Sequence, residues 1–108
     1  MKVKCPCGRF LKHVGDPSPY FADILPSLFM DEYCDEIERT VEEYPSDPGI
    51  ASQYVLDRTT GLFRQMCQCP DCGRLFIEDK NYKIFMFGKT DPECPMDLLA
   101  QQTRNQKD

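Results

Sequence analysis

The sequence predicts an α+β fold in which a small antiparallel β-meander with cysteine knuckles carries one amphipathic helix packed on the sheet. Three observations support this prediction: cysteine turns in two separate parts of the chain, a helical apolar period between them, and extended segments beside the second turn. The chain has 108 residues, enough for one compact domain. We therefore expect a single domain over residues 1–90, with an acidic helical insert at about residues 27–44, and a C-terminal tail over residues 91–108.

The helical insert is predicted from apolar side chains that recur every three or four residues. This apolar stripe consists of Met30, Tyr33, Cys34, Ile37, Val41 and Tyr44. Ser27 can cap the start of the helix and Pro45 ends it. On this stripe Cys34 is interpreted as a small core residue. A loop is predicted over residues 45–49, where proline and glycine are frequent.

Four extended segments are predicted after the helix, and together they form the meander. They are residues 53–57, 62–66, 74–77 and 82–87. The turn of the first hairpin contains Gly61, which can adopt a positive φ. The cysteine cluster at residues 67–73 follows the second segment directly. We therefore expect this cluster at the central turn of the meander.

Negative charge is concentrated in the central insert. The formal net charge is −5, made up of +4 in residues 1–14, −9 in residues 15–52, +2 in residues 53–90 and −2 in the remainder. Nucleic-acid-binding domains usually have a basic balance or a dense basic stripe, and this chain has neither clearly.

The seven cysteines form an odd set, and five of them lie in two short motifs. No apolar run approaches the roughly 20 residues needed to cross a bilayer, so we expect no membrane span. The first residues also lack the apolar core of a secretory signal. These features favour a cytoplasmic protein whose reduced thiols bind metal over a disulfide framework.

The two cysteine motifs together supply a predicted metal site. Cys69-Pro70-Asp71-Cys72-Gly73 has two thiols two residues apart, with a proline and a glycine that favour a tight turn. Cys5-Pro6-Cys7-Gly8 has the same proline and glycine with one residue fewer. A tetrahedral structural Zn²⁺ needs four ligands, and the predicted set is Cys5, Cys7, Cys69 and Cys72.

Other ligands stay open at this point. Cys67 repeats the shorter spacing with Cys69, and either Cys67 or His13 could replace one of the four ligands. We interpret Cys67 as a strand residue packed beneath the knuckle and His13 as a polar residue near a strand end. Cys94, beside a proline, is interpreted as a surface loop thiol.

The two motifs resemble the zinc-ribbon class, in which two cysteine turns on β-hairpins share one zinc. They are also similar to a loosely defined set of small bacterial proteins of unknown function, which pair an N-terminal Cys-x-Cys-Gly with a later Cys-Pro-x-Cys-Gly-Arg-Leu. Here these residues are Cys5 to Gly8 and Cys69 to Leu75. The resemblance implies a bound structural zinc and no established activity. Rubredoxin-like iron binding uses similar knuckles, and the shorter first motif favours zinc over iron.

Four basic side chains flank the two motifs: Lys2, Lys4, Arg9 and Arg74. Four thiolates and one Zn²⁺ sum to a charge of −2, which these side chains can offset locally. Contact with phosphate is their alternative role.

Three functions are compatible with these patterns. We expect a non-catalytic protein-interaction or regulatory module whose acidic helix, residues 31–43, complements a basic partner. The alternative is a nucleic-acid-binding ribbon, whose contact residues would be Arg9, Lys12, Arg64, Arg74 and Lys83 together with Phe76 or Tyr82.

The third hypothesis is a thiol redox enzyme that uses Cys67, Cys69 and Cys72 if the protein is metal-free. An enzyme is not favoured, because four thiolates leave a zinc no open position for water. The single histidine also gives little scope for a cysteine–histidine nucleophile pair.

Overall fold

A computed structural model describes residues 1–13 and 18–101 of the chain. Within these residues the secondary structure is α+β, which confirms the predicted class. In chain order the main elements are β1 (Lys2–Lys4), β2 (Phe10–Lys12), β3 (Phe21–Ile24), α1 (Met30–Glu43), α2 (Pro48–Thr59), β4 (Arg64–Gln68), β5 (Leu75–Glu78) and β6 (Ile84–Phe87). Short 3-10 turns lie at Ser27–Phe29, Thr60–Leu62 and Leu98–Ala100. None of the helices in the described ranges is long and apolar enough to span a membrane.

The strands form two sheets. Strands β1 and β2 pair as an antiparallel hairpin, and a second sheet has the order β3-β4-β5-β6. The chain divides into two compact units, one formed by Met1–Asp23 with Gln65–Asp108 and the other by Ile24–Arg64. The first unit contains the cysteine turns, and the second contains both α-helices.

The core of the first unit combines two aliphatic side chains and one aromatic ring with buried cysteines. Its buried members are Val3, Cys5, Leu11, Cys67, Cys69 and Phe76. Val3 and Leu11 are register partners in the β1–β2 hairpin, and their strand neighbours point to solvent. This alternation leaves one apolar side chain per strand for the core, so the cysteines supply much of the remaining buried volume.

The meander has four strands as predicted, but its first strand is β3. The prediction of a strand at residues 53–57 was wrong, because this segment lies inside α2. The side chain of Asp47 accepts a hydrogen bond from the Ile50 N–H at 3.1 Å, and Pro48 occupies the first helical turn. Both features initiate a helix. The short apolar run at residues 54–56 fits a strand as well as a helix. The helix start at Asp47 and Pro48 decides between the two.

The predicted helix at about residues 27–44 is confirmed as α1, preceded by a 3-10 turn. Ser27 does not cap it, because Phe29 is the N-cap residue of α1 and no side chain caps this helix. The helix ends before Tyr44, whose ring stacks on Tyr54 of α2 with 5.0 Å between centroids.

One buried polar contact joins α1 to α2. The Thr40 side chain is fully buried, and its hydroxyl accepts a hydrogen bond from Arg58 at 3.1 Å. The same guanidinium group donates to the Glu43 carboxylate at 2.8 Å. Arg58 therefore connects the C-terminal half of α1 to the last turn of α2.

Thr40 marks the side of α1 that faces α2, and this explains why the core position predicted for Cys34 was wrong. Cys34 is exposed, although the apolar stripe predicted a core position. At 100° per residue, Cys34 lies about 120° around the helix from Thr40. The stripe is wider than the surface that α2 covers, and Val41 is also 50% exposed.

We expect Arg58→Ala to destabilise the protein by about 1–2 kcal/mol, because it removes a charged hydrogen bond and leaves the buried Thr40 hydroxyl without its donor. Arg39→Ala is the matched control, since Arg39 is exposed and pairs with Glu36 within one helix. Urea unfolding followed by circular dichroism measures both variants. Equal losses of stability in the two variants would contradict this account.

Candidate metal centre

The first cysteine turn lies between β1 and β2. Within it the Gly8 N–H donates to the Cys5 carbonyl at 2.8 Å, and the Cys5 N–H donates to the Arg9 carbonyl at 2.8 Å. Gly8 has a φ of 102°, in the left-handed region that favours glycine. The turn thus closes tightly and places both of its thiols at the end of the hairpin.

The second cysteine turn lies between β4 and β5 and repeats this pattern. The Gly73 N–H donates to the Cys69 carbonyl at 2.8 Å, and the Cys69 N–H donates to the Arg74 carbonyl at 2.9 Å. Gly73 has a φ of 80°. The two turns are therefore equivalent in backbone bonding, although the second is one residue longer.

The two turns bring four sulfur atoms together. The Sγ atoms of Cys5 and Cys72 are 3.3 Å apart and those of Cys7 and Cys69 are 3.5 Å apart, and all four lie within 4.8 Å of one another. A tetrahedral Zn²⁺ site with Zn–S bonds of about 2.3 Å has sulfur–sulfur edges of about 3.8 Å. The four cysteines remain free thiols without a disulfide. The cluster therefore has the size and the donor atoms to hold one metal ion.

A cation lies beside the thiols. The Arg74 guanidinium group is 3.2 Å from Cys72 Sγ and 4.0 Å from Cys5 Sγ. This contact fits the predicted charge-offsetting role of Arg74. The Arg9 guanidinium group instead lies 3.7 Å from the Asp71 carboxylate, in an exposed ion pair that connects the two turns.

The thiols differ in how readily they lose a proton. Burial raises the pKa of Cys5, and burial raises the pKa of Cys69 to about 12. Burial on its own would raise the pKa of Cys72. Hydrogen bonds from the Arg74 N–H, from Cys5 and from the Arg74 guanidinium group outweigh this effect and lower the pKa of Cys72 to about 6. A metal ion would replace the protons on Cys5 and Cys69.

The alternative ligands lie elsewhere. Among the described residues, the group of clustered thiols includes neither Cys67 nor His13. Cys67 is a fully buried β4 residue, as predicted, and burial raises its pKa to about 11. The His13 ring packs against Phe21 with 5.2 Å between centroids. Cys94 is half-buried, and its thiol lies 3.7 Å from the Pro95 carbonyl.

The family described as Domain of unknown function (DUF8617) matches residues 1–95. The chain belongs to this family. The matched region contains both cysteine turns, both α-helices and all six described strands. The chain matches none of the curated proteins and none of the solved structures with which it was compared.

Sequence reasoning missed one residue that supports the second turn of this DUF8617 chain. Gln68, the last residue of β4, lies between Cys67 and Cys69 in the sequence and is buried. Its amide nitrogen lies 3.4 Å from the Gly73 carbonyl and 3.0 Å from the Pro95 carbonyl, and its Oε1 accepts from the Leu98 N–H at 2.8 Å. The amide thereby joins the cysteine turn to residues 95–98. A glutamine beside cysteines carries no local sequence signal for this role.

These bonds hold part of the predicted C-terminal tail against the second turn. A methyl group at Gly73 would meet Met96 Sδ at 2.8 Å, which shows how closely this segment approaches. The predicted C-terminal tail spans residues 91–108. Of these, Leu98–Ala100 form a 3-10 turn, and residues 102–108 lie outside the described ranges.

We expect Gln68→Met to lower the free energy of unfolding by about 2 kcal/mol, because similar volume is kept while three backbone groups lose their bond to the buried amide. The exposed Gln53→Met is the matched control. Limited proteolysis should cut residues 89–101 faster in Gln68→Met than in the wild type. Unchanged proteolysis and stability would show that the amide does not hold this segment.

Proposed function

We propose that this protein binds one structural Zn²⁺ through Cys5, Cys7, Cys69 and Cys72 and acts as a non-catalytic protein-interaction module. The observation that carries the metal assignment is the cluster of four sulfur atoms within 4.8 Å on two tight turns. Four cysteine ligands are typical of structural zinc. Zinc is favoured over iron by the shorter first motif. A reducing compartment such as the cytoplasm would keep the free thiols available.

The role proposed for zinc is to stabilise the first unit. The ion would close a loop between Cys7 and Cys69, which are 62 residues apart. Structural zinc contributes on the order of 10 kcal/mol to folding, comparable with the whole stability of a small domain. Four thiolates would also complete the coordination sphere, which leaves no position for a catalytic water.

Metal removal tests this role. We expect purified protein to contain one zinc per chain and to lose most of its ordered structure when a chelator removes the metal, as measured by circular dichroism and thermal melting. Cys72→Ser should lose zinc, whereas Cys34→Ser should keep it, because Cys34 is exposed on α1 and is not a member of the cluster. A zinc content far below one, with reversible disulfides at residues 5, 7, 69 and 72, would favour the thiol redox alternative.

The affinity for zinc should fall as the pH falls. The pKa values of Cys5 and Cys69 are raised, so both thiols are protonated near neutral pH and each must release a proton to bind zinc. The apparent association constant should therefore rise at least about 100-fold per pH unit between pH 6 and 8. Competition with a chromophoric chelator at several pH values measures this slope. A slope below tenfold per pH unit would contradict zinc binding by these thiols.

The proposed interaction surface is the acidic side of the helical unit. Asp31, Glu32, Asp35, Glu38 and Glu42 are exposed on α1, and no salt bridge reaches them within the described parts of the chain. An open groove of about 480 Å³ runs between α1 and α2 and is lined mainly by apolar side chains, among them Ile37, Val41 and Leu56. A basic amphipathic segment would satisfy both features.

The contacts of the basic residues give less support to nucleic-acid binding. Arg9 pairs with Asp71, Arg74 donates to the thiols, and Lys83 lies over the Phe85 ring. Phe76 is only 4% exposed, so its ring is not available to stack on a base, and of the two candidate rings only Tyr82, 78% exposed, is accessible. The protein-interaction hypothesis is therefore the one that we propose.

We expect Glu38→Gln/Glu42→Gln to weaken binding to a basic amphipathic peptide at least fivefold, since two unpaired charges are removed beside the groove. The probe is a fluorescent 18-residue helix of leucine and lysine, measured by anisotropy at low and physiological salt. Asp23→Asn/Glu93→Gln is the control, because it changes the net charge equally at exposed positions outside Ile24–Arg64. Equal weakening in both variants would show that the net charge of the protein alone drives the binding. No binding by the wild type would overturn the proposed surface.

A further inference from the structure

Strand β6 is an uncovered edge of the four-stranded sheet. It is last in the order β3-β4-β5-β6, and no other described strand pairs with its free side. Its four residues are all apolar and all exposed: Ile84 (37%), Phe85 (44%), Met86 (50%) and Phe87 (54%). Successive side chains of a strand point to opposite faces, so both faces of β6 are open. Natural proteins protect an edge of this kind with charges, prolines or a partner strand.

The register of the sheet shows which backbone groups of β6 point outward. The Asp79 N–H donates to the Lys83 carbonyl, so this pair is hydrogen-bonded within the β5–β6 hairpin. Hydrogen-bonded pairs alternate along an antiparallel ladder, and the pair Ile77–Phe85 therefore bonds in the same way. The N–H and C=O groups of Ile84 and Met86 consequently point away from β5, toward the free edge.

We propose that the β6 strands of two copies of this chain pair antiparallel and join their sheets into one continuous sheet. The two-fold axis passes beside Phe85, which lies opposite Phe85 of the second copy. Ile84 of each copy lies opposite Met86 of the other, and these outward-facing pairs exchange four backbone hydrogen bonds. The exposed apolar side chains of β6 then contact each other across the strands.

Charge disfavours the neighbouring register that is centred on Met86. When the axis lies beside Phe85, Lys83 stands opposite Phe87 of the other copy. When the two-fold axis lies beside Met86, the outward-facing backbone groups also form hydrogen bonds between the copies. In that register, however, Lys83 of each copy lies opposite Lys89 of the other. Like charges directly opposite each other destabilise a strand pair. In the Phe85-centred register no two lysines lie directly opposite each other.

The first test is the mass of the full-length, zinc-loaded protein. Multi-angle light scattering at about 100 µM should give twice the chain mass of 12.5 kDa. Met86→Pro should give a monomer, because proline removes an outward N–H while the ladder to β5 is kept. Leu28→Lys, which changes an 83% exposed leucine outside the sheet, should stay dimeric. A monomeric wild type would overturn the proposal and leave β6 as an edge for a strand of another protein.

The second test examines the register. Phe85→Glu and Phe85→Lys should each be monomeric, because each places like charges at the two-fold axis. An equal mixture should form heterodimers of nearly wild-type stability, since glutamate then faces lysine. Zinc content and circular dichroism report whether each variant is folded. Dimers of either variant alone, or no recovery in the mixture of folded variants, would contradict the Phe85-centred pairing. None of these outcomes depends on the acidic surface.

Discussion

The first unit of this protein is organised by the meeting of two short cysteine turns. Each turn is closed by its own backbone hydrogen bonds and a glycine with positive φ, so each is a locally determined structure. Bringing them together places four sulfur atoms within 4.8 Å, partly buried in a small core. Such a cluster is stable only if its protons or a cation balance the sulfur charge. The raised pKa values of the buried thiols and the position of Arg74 both reflect this requirement.

The second unit has a different source of order. Its two helices follow each other closely in sequence and are held by local contacts, notably Arg58 with Glu43 and Thr40, and Tyr44 with Tyr54. The last turn of α1 contains glutamates, whose negative charges are unfavourable at the negative end of the helix dipole. Packing against α2 therefore provides the stability that these charges do not. The family match over residues 1–95 covers the whole second unit and most of the first.

Features with a local physical cause could be predicted from the sequence. The four clustered cysteines, helix α1 and the β5–β6 hairpin all follow from patterns a few residues long. Residues 53–57 could not be assigned in this way, because the apolar run fits a strand as well as a helix and the decisive capping by Asp47 lies outside it. The exposure of Cys34 depends on where α2 packs, and the role of Gln68 depends on residues about 30 positions later. Both require tertiary contacts that no local pattern contains.

The separation of the cysteine turns also has a consequence for synthesis on the ribosome. The contacts of the helical unit lie within Ile24–Arg64 and are available once that segment has emerged. The sulfur cluster needs residues 5 and 7 together with residues 69 and 72, so it cannot assemble until most of the chain has left the exit tunnel. Until then the thiols of Cys5 and Cys7 lack the two other cysteines of the cluster. The contacts within the helical unit can therefore form earlier during synthesis than those of the sulfur cluster.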